Sequence, residues 1–104
     1  WTSVKPSVVE ASASTAVTEL MVLEGLGLAD QGKGLAAANG DTVNLSGGAL
    51  PADPIMATGL VRLSQAYRQL ATPERYGLKS PTTAVAHGAG GVGMQTHCVF
   101  TLEV

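Results

Sequence analysis

Aromatic residues are nearly missing from this chain: Trp1, Tyr67, Tyr76 and Phe100 are the complete set. Any core must therefore be built from Val, Leu, Ala and Met, and a nucleic acid would find few rings on which to stack its bases. Charge is equally scarce. Only 13% of residues are charged, the formal net charge is −2, and Lys and Arg form no cluster, so a nucleic-acid backbone is excluded as partner. Lys5, Lys33 and Lys79 are dispersed and make no phosphate clamp, and the glycine loop over 32–40 lacks the GxxxxGK[ST] spacing of a P-loop. Cys98 is the only cysteine, which rules out an internal disulfide and a thiolate zinc site. With His87 and His97 the only imidazoles, no metal centre is expected. No apolar run approaches the roughly 20 residues of a membrane-spanning helix. The opening WTSVKPSVVE does not have the build of a signal peptide, and a cytoplasmic location is the expectation.

What is present is small and apolar. Of 104 residues, 45% are hydrophobic, too many for a disordered segment and enough for one small domain. The chain is organised around 44–70, NLSGGALPADPIMATGLVRLSQAYRQL. There Gly47 and Gly48 lead through Pro51 and Asp53-Pro54 into a regular helical pattern. Met56, Leu60, Leu63, Tyr67 and Leu70 are spaced four, three, four, three, which puts all five on one helix face, with the Tyr67 hydroxyl at its rim. Asp53 suits the N-cap and Pro54 the first helical position, where a missing N–H costs nothing.

Upstream, Ser7-Val8-Val9-Glu10 predicts a short strand, followed by a helix over 15–24 capped by one of the hydroxyls of the small polar run before it. Ala16, Leu20 and Leu23 share a face of that helix, with Val17 and Met21 beside them, and Gly25 and Gly27 end it. Residues 29–52 show no sustained periodicity and read as a long connection. After the second helix, turns over 72–75 and 77–81 lead to a buried strand over 82–86, a glycine-rich turn over 87–93, and a last strand from about Gln95. In that strand Cys98, Phe100, Leu102 and Val104 point one way while Val99, Thr101 and Glu103 point the other. The two final strands should pair antiparallel. The expected order is β-α-loop-α-β-β, an α/β fold with helices packed on a mixed sheet.

Three separated segments resemble the thiolase superfamily. NLSGGALPADPIMATG is similar to the segment NxxGGxxxxxHPxGATG, with one residue fewer between Gly48 and Asp53-Pro54, matching at Asn44, Gly47, Gly48, Pro54, Ala57, Thr58 and Gly59. VVEASASTAVTEL, from Val8, resembles the VVEVHDCFSTNEL of sterol-carrier-type thiolases. AVAHGAGGVG, from Ala84, resembles the glycine-rich turn before the last strand, where those thiolases have a histidine and ordinary thiolases a cysteine.

The resemblance implies a thiolase-like C-terminal half-domain over 1–104, of the sterol-carrier or lipid-transfer type. The nucleophile-bearing N-terminal half would then be supplied elsewhere, by another half or a companion subunit, and a homo- or hetero-oligomer is the default. It further implies acyl-CoA or steroid-CoA thioesters as substrates, no separate cofactor, and C–C bond cleavage or formation.

Departures from the pattern narrow the chemistry. Asp53 stands at the HP histidine, and Ser12, Ala13 and Ser14 stand at the His, Asp and Cys of HDCF. An ionised Asp53 cannot donate to a developing oxyanion and would disfavour an enolate nearby, so retro-aldol-like cleavage is expected in place of classical thiolysis. Asp53 is then either a cap or a base that orients water. His87 is a candidate acid/base or a structural histidine. The backbone amides of Ala89 and Gly90, with Gly48 of the Gly-Gly loop, are candidates for binding substrate or an oxyanion, or else they serve tight turns. Ser12 and Ser14 have no local base and suit capping better than attack. His97 reads as a surface or pairing residue, and Cys98, in a strand, does not replace the family's nucleophile. The alternative is a non-catalytic subunit that keeps the fold as a binding or scaffold module. A third possibility, an autonomous small domain, would leave so much apolar surface and strand edge open that the segment alone should self-associate.

Overall fold

The computed structural model describes residues 5–38 and 41–104, so Trp1 and Gly40 fall outside the described residues. Strand β1 (Val8–Glu10) is followed by helix α1 (Ala16–Gly25), a short helix α2 (Gly34–Ala38), helix α3 (Thr58–Ala71), and strands β2 (Thr83–Gly90) and β3 (Thr96–Glu103). The sheet order is β1-β2-β3. The first pair is parallel, with Val9 opposite Val85, and the second antiparallel, with Val85 opposite Thr101. This is the expected mixed sheet.

All three residues of β1 are buried, as a strand covered on both faces requires. Its outer edge is closed by Val43, which bridges Val9 through the Val9 N–H to Thr42 carbonyl bond (2.8 Å) and the Asn44 N–H to Val9 carbonyl bond (2.7 Å). Because successive strand residues face opposite ways, Val8 and Val9 seed two separate cores. Val8, Ala84 and Ala86 pack with Ala66 and Leu70 of α3, while Val9 and Ala11 pack with Leu23 of α1 and the flanking Val22, Leu28 and Ala37.

Helix α1 starts where a hydroxyl was expected to cap it. Thr15 Oγ1 accepts the Thr18 N–H at 3.1 Å, a cap that contributes about 1 kcal/mol. Leu23 is the one fully buried apolar residue of this helix, and Val17 and Met21 point to solvent. The long connection carries structure of its own. Gly34 opens α2 under α1, its N–H bonded to Glu24 Oε1 at 2.9 Å, and amide bonds from Gly32 and Gly34 hold the Glu24 carboxyl below its ordinary pKa.

Three expectations are corrected. First, α3 begins at Thr58 with Ala57 as an N-cap that makes no side-chain bond, so Asp53 is not the cap. The chain instead makes tight turns over 53–57, with Ala57 N–H bonded to the Pro54 carbonyl, and these carry the Asp53 carboxylate onto the Thr58 hydroxyl. Second, the apolar stripe is only partly the buried face: Leu70 is buried and Leu63 packs against the core, but the rest of the stripe turns outward. Met56, Leu60 and Tyr67 are 99%, 70% and 61% exposed, whereas Thr58, Arg62, Ala66, Gln69 and Leu70 are buried. The cause lies under the helix: the Glu10 carboxylate, fully buried on β1, requires polar partners that Arg62 and Gln69 supply.

Third, β2 does not end at Ala86. It runs on through His87, Gly88, Ala89 and Gly90, and the reversal is made by Gly91 (φ 80°), Gly93 (φ 66°) and Met94 (φ 59°). Glycine in a strand often marks a close backbone approach, and here a Cβ on Gly88 would lie 3.1 Å from the Cα of Gly59 in α3. β3 is the open side of the molecule, with every residue but Leu102 exposed.

Candidate functional site

The C-terminal end of β1 meets the middle of β2 where the Ser12 N–H donates to the His87 carbonyl at 3.1 Å. One residue further, Gly88 lies against Gly59 in the first turn of α3, and the Thr58 hydroxyl beside it donates to the Asp53 carboxylate. The fold thus brings the backbones of Ser12, His87 and the α3 start to one place. Ser12 and Ala13 are buried and Ser14 is exposed.

Side-chain direction then separates the two candidate catalytic residues. Gly88 faces α3, so His87 next to it faces the opposite side of the sheet, toward α1. Asp53 stays with Thr58 on the α3 side, and no hydrogen bond or ion pair among the described residues joins it to His87.

On the α1 side, His87 is 2% exposed and lies at the base of an open groove of about 600 Å³. Thr18, Met21, Val22 and Gly25 of α1, with Leu26 just after it, form one wall, and Met94, His97 and Val99 of the hairpin form the other. Its lining is apolar apart from Thr18 and the two imidazoles, and its size suits a small-molecule site. His87 Nε2 lies 3.0 Å from His97 Nδ1, with the rings stacked at 21° and centroids 5.3 Å apart. His87 Nδ1 is buried without a hydrogen-bond partner. Burial, followed by the repulsion of a charge on His97, lowers the His87 pKa below its ordinary value, so the ring is neutral near pH 7.

The strand register also sorts the two candidate amides. Thr83 and His87 turn their carbonyls toward β1, accepting from Ser7 and Ser12, whereas Thr82 turns its carbonyl toward β3, accepting from Val104. The same alternation directs the Ala89 N–H to the β1 side, beyond the end of that strand, and the Gly90 N–H toward β3, where Thr96 is its ladder partner.

Gly48 is part of a brace. Its φ is 65°, and a Cβ there would lie 3.0 Å from the Asn44 side chain, so glycine is required on both counts. Asn44 Oδ1 accepts the Ala11 N–H and its Nδ2 donates to Glu19 Oε1, both at 2.7 Å, which fastens the Gly-Gly loop to the end of β1 and to α1.

Sequence reasoning missed the most extensive polar cluster. Glu10 accepts from Arg62 Nη1 (2.9 Å), Gln69 Nε2 (2.5 Å), and both the N–H (3.2 Å) and the hydroxyl (2.7 Å) of Ser46. The signal available was the charged Glu10 inside an apolar strand and the Arg and Gln seven apart on the following long helix. His97, expected as a surface or pairing residue, is exposed in β3, but its contact with His87 was not foreseen because that partner lies ten residues away across a hairpin whose register the sequence does not give. Among the described residues no three His, Cys, Asp or Glu converge on a common point, and no helix is long and apolar enough to cross a membrane.

A three-stranded mixed sheet with α3 on one face, α1 and α2 on the other, and a Gly-Gly loop braced against the helix start define a small α/β domain of the thiolase-like C-terminal type. The chain belongs to the thiolase C-terminal domain-like family, whose model matches residues 6–103. No curated protein and no solved structure matches it.

Proposed function

We propose that this chain is the C-terminal half of a site of the sterol-carrier or lipid-transfer type that acts on acyl-CoA or steroid-CoA thioesters, with His87 as its base. The observation that carries the reading is the neutral, buried His87 at the base of an apolar groove, at the position of the family's glycine-turn histidine. A neutral imidazole can take the hydroxyl proton of a 3-hydroxyacyl thioester. The bond between the second and third carbons then breaks, the third carbon leaves as a carbonyl, and the thioester enolate takes a proton on carbon. The Ala89 amide is the donor for the thioester oxygen, and Gly90 keeps the approach clear. Asp53 orients water or a polar substrate group at the α3 start. An N-terminal half or companion subunit, in a homo- or hetero-oligomer, completes the site.

The second reading is a non-catalytic subunit, favoured by the separation of Asp53 from His87 across the sheet and by Ser12, Ala13 and Ser14 standing where the family has ionisable groups. Assay of the complete protein for cleavage of 3-hydroxyacyl-CoA thioesters separates the two. His87→Ala should lower turnover by roughly 10²-fold or more, the range of a lost general base. An activity unaltered by both His87→Ala and Asp53→Ala would overturn the catalytic assignment.

A further inference from the structure

Strand β3 is an open edge whose residues match one another. Among the described residues no strand lies beyond it, and the Val104 N–H to Thr82 carbonyl bond fixes which way its backbone points. Because that direction alternates along a strand, Thr96, Cys98, Phe100 and Leu102 turn their N–H and carbonyl groups to β2, whereas His97, Val99, Thr101 and Glu103 turn theirs outward. The strand has no Pro, Lys or Arg, and its pairing with β2 runs from Thr96 to Glu103 without a bulge. Nothing of the kind that usually keeps a second strand away is present.

We propose that a second copy of this chain lays its β3 antiparallel along this edge, with Phe100 opposite the partner's Phe100, so that one sheet runs through both copies. This register joins every outward-facing residue: His97 meets the partner's Glu103, Val99 meets the partner's Thr101, and the twofold axis repeats both pairs. A slip of two residues leaves an outward residue without a partner in the strand, and a slip of one sets outward groups against inward ones. The side chains agree. On the α1 side an imidazole faces a carboxylate and two β-branched residues face each other. On the α3 side Phe100 meets its counterpart at a non-hydrogen-bonded position, where side chains lie closest. His97 gives Nδ1 to His87, which leaves Nε2 for the carboxylate, and the Glu103 carboxylate has no hydrogen-bond or ion-pair partner among the described residues. A second copy is the occupant because the match, charge included, needs only the strand's own residues.

The pairing also closes the groove. Val99 and Thr101 line an open trough with Gly25, Leu26 and Gly27, and through Val99 the trough continues into the groove beside His87 and His97. The partner's Thr101 and the partner's Glu103 then stand beside Val99 and His97, so the open flank is walled by the other copy. None of this depends on His87 being a base.

Sedimentation equilibrium of the full chain should show a discrete dimer. Val99→Lys combined with Thr101→Lys sets like charges opposite one another twice and should raise the dimer dissociation constant about tenfold or more, with the far-ultraviolet circular dichroism unchanged. Glu103→Lys should weaken the dimer, and adding His97→Glu should restore it. Phe100→Cys in a Cys98→Ser background tests the register: Cα atoms about 4.5 Å apart suit a disulfide, so mild oxidation should give a covalent dimer. Native Cys98, which faces the partner's Leu102, should not crosslink. If the double lysine variant loses its fold, the Phe100→Cys crosslink decides alone. A monomer, an open-ended series of aggregates, or a dimer indifferent to the paired lysines overturns the proposal. A dimer that dissolves when the N-terminal half is added assigns the edge to that half and overturns it as well, and a crosslink through Cys98 overturns the register.

Discussion

The sheet carries a polar cluster on each face, and the two solve opposite problems. On the α3 face, Glu10 and Arg62 neutralise one another out of water, and Ser46 and Gln69 fill the remaining acceptor sites of the carboxylate. Two atoms there, Arg62 Nε and Gln69 Oε1, stay without partners, so even this network is incomplete. On the α1 face, His87 and His97 share a single contact, carry no counter-charge, and open on a groove. A buried ion pair is held in place by what its rupture would cost, and it ties β1, the Gly-Gly loop and α3 into one unit. The buried neutral His87 is held only by packing and its one contact with His97, and its second nitrogen is buried without a partner. The first cluster therefore ties elements of the fold together, whereas the second borders an open groove.

The largest expected effect breaks the structural side of this contrast. Glu10→Ala should destabilise the protein by about 3–5 kcal/mol, because it strands the Arg62 charge, and urea unfolding measures it. Replacing Glu10 and Arg62 together by Met should recover most of the loss. Equal losses in the single and double variants would show that packing, not charge, holds this face.

A smaller effect tests how the two faces are joined. Gly88→Val should cost about 1–3 kcal/mol by forcing α3 away from β2, since the new Cβ would meet the Gly59 backbone at 3.1 Å. Thermal unfolding reads it, and an unchanged midpoint would mean that α3 does not sit as closely as described.

The smallest effect sharpens the His87 side. His87 has a folded pKa below its ordinary 6.5, so between the two values the unfolded chain binds a proton that the folded chain refuses. Its contribution to stability is thus complete above about pH 6.5 and falls as the pH drops, with a slope of at most about 1.4 kcal/mol per pH unit. His87→Leu should flatten that part of the profile in denaturation measured from pH 7 to pH 5. A profile identical to the wild type would place His87 in contact with water.

Local patterns in the chain determined the elements and their order, with the short α2 excepted. β-branched Val8 and Val9 make a strand, Thr15 caps α1, and the alternation after Gln95 makes β3, because each depends on residues within a few positions of one another. The Gly-Gly segment, the start of the first strand and helix, and the His-Gly turn also carried the family, since motif spacing survives without knowledge of contacts. Only the tertiary structure decided which face of α3 is buried, where that helix begins, and what the candidate side chains touch. Periodicity counts apolar residues, and it could not foresee that a fully buried Glu10 would turn Arg62 and Gln69 inward and leave Leu60 and Tyr67 outside. Nor could spacing place Asp53 and His87 on opposite sides of the sheet, or His97 against His87, because those relations follow from strand register, and a shift of one residue in register reverses every side chain.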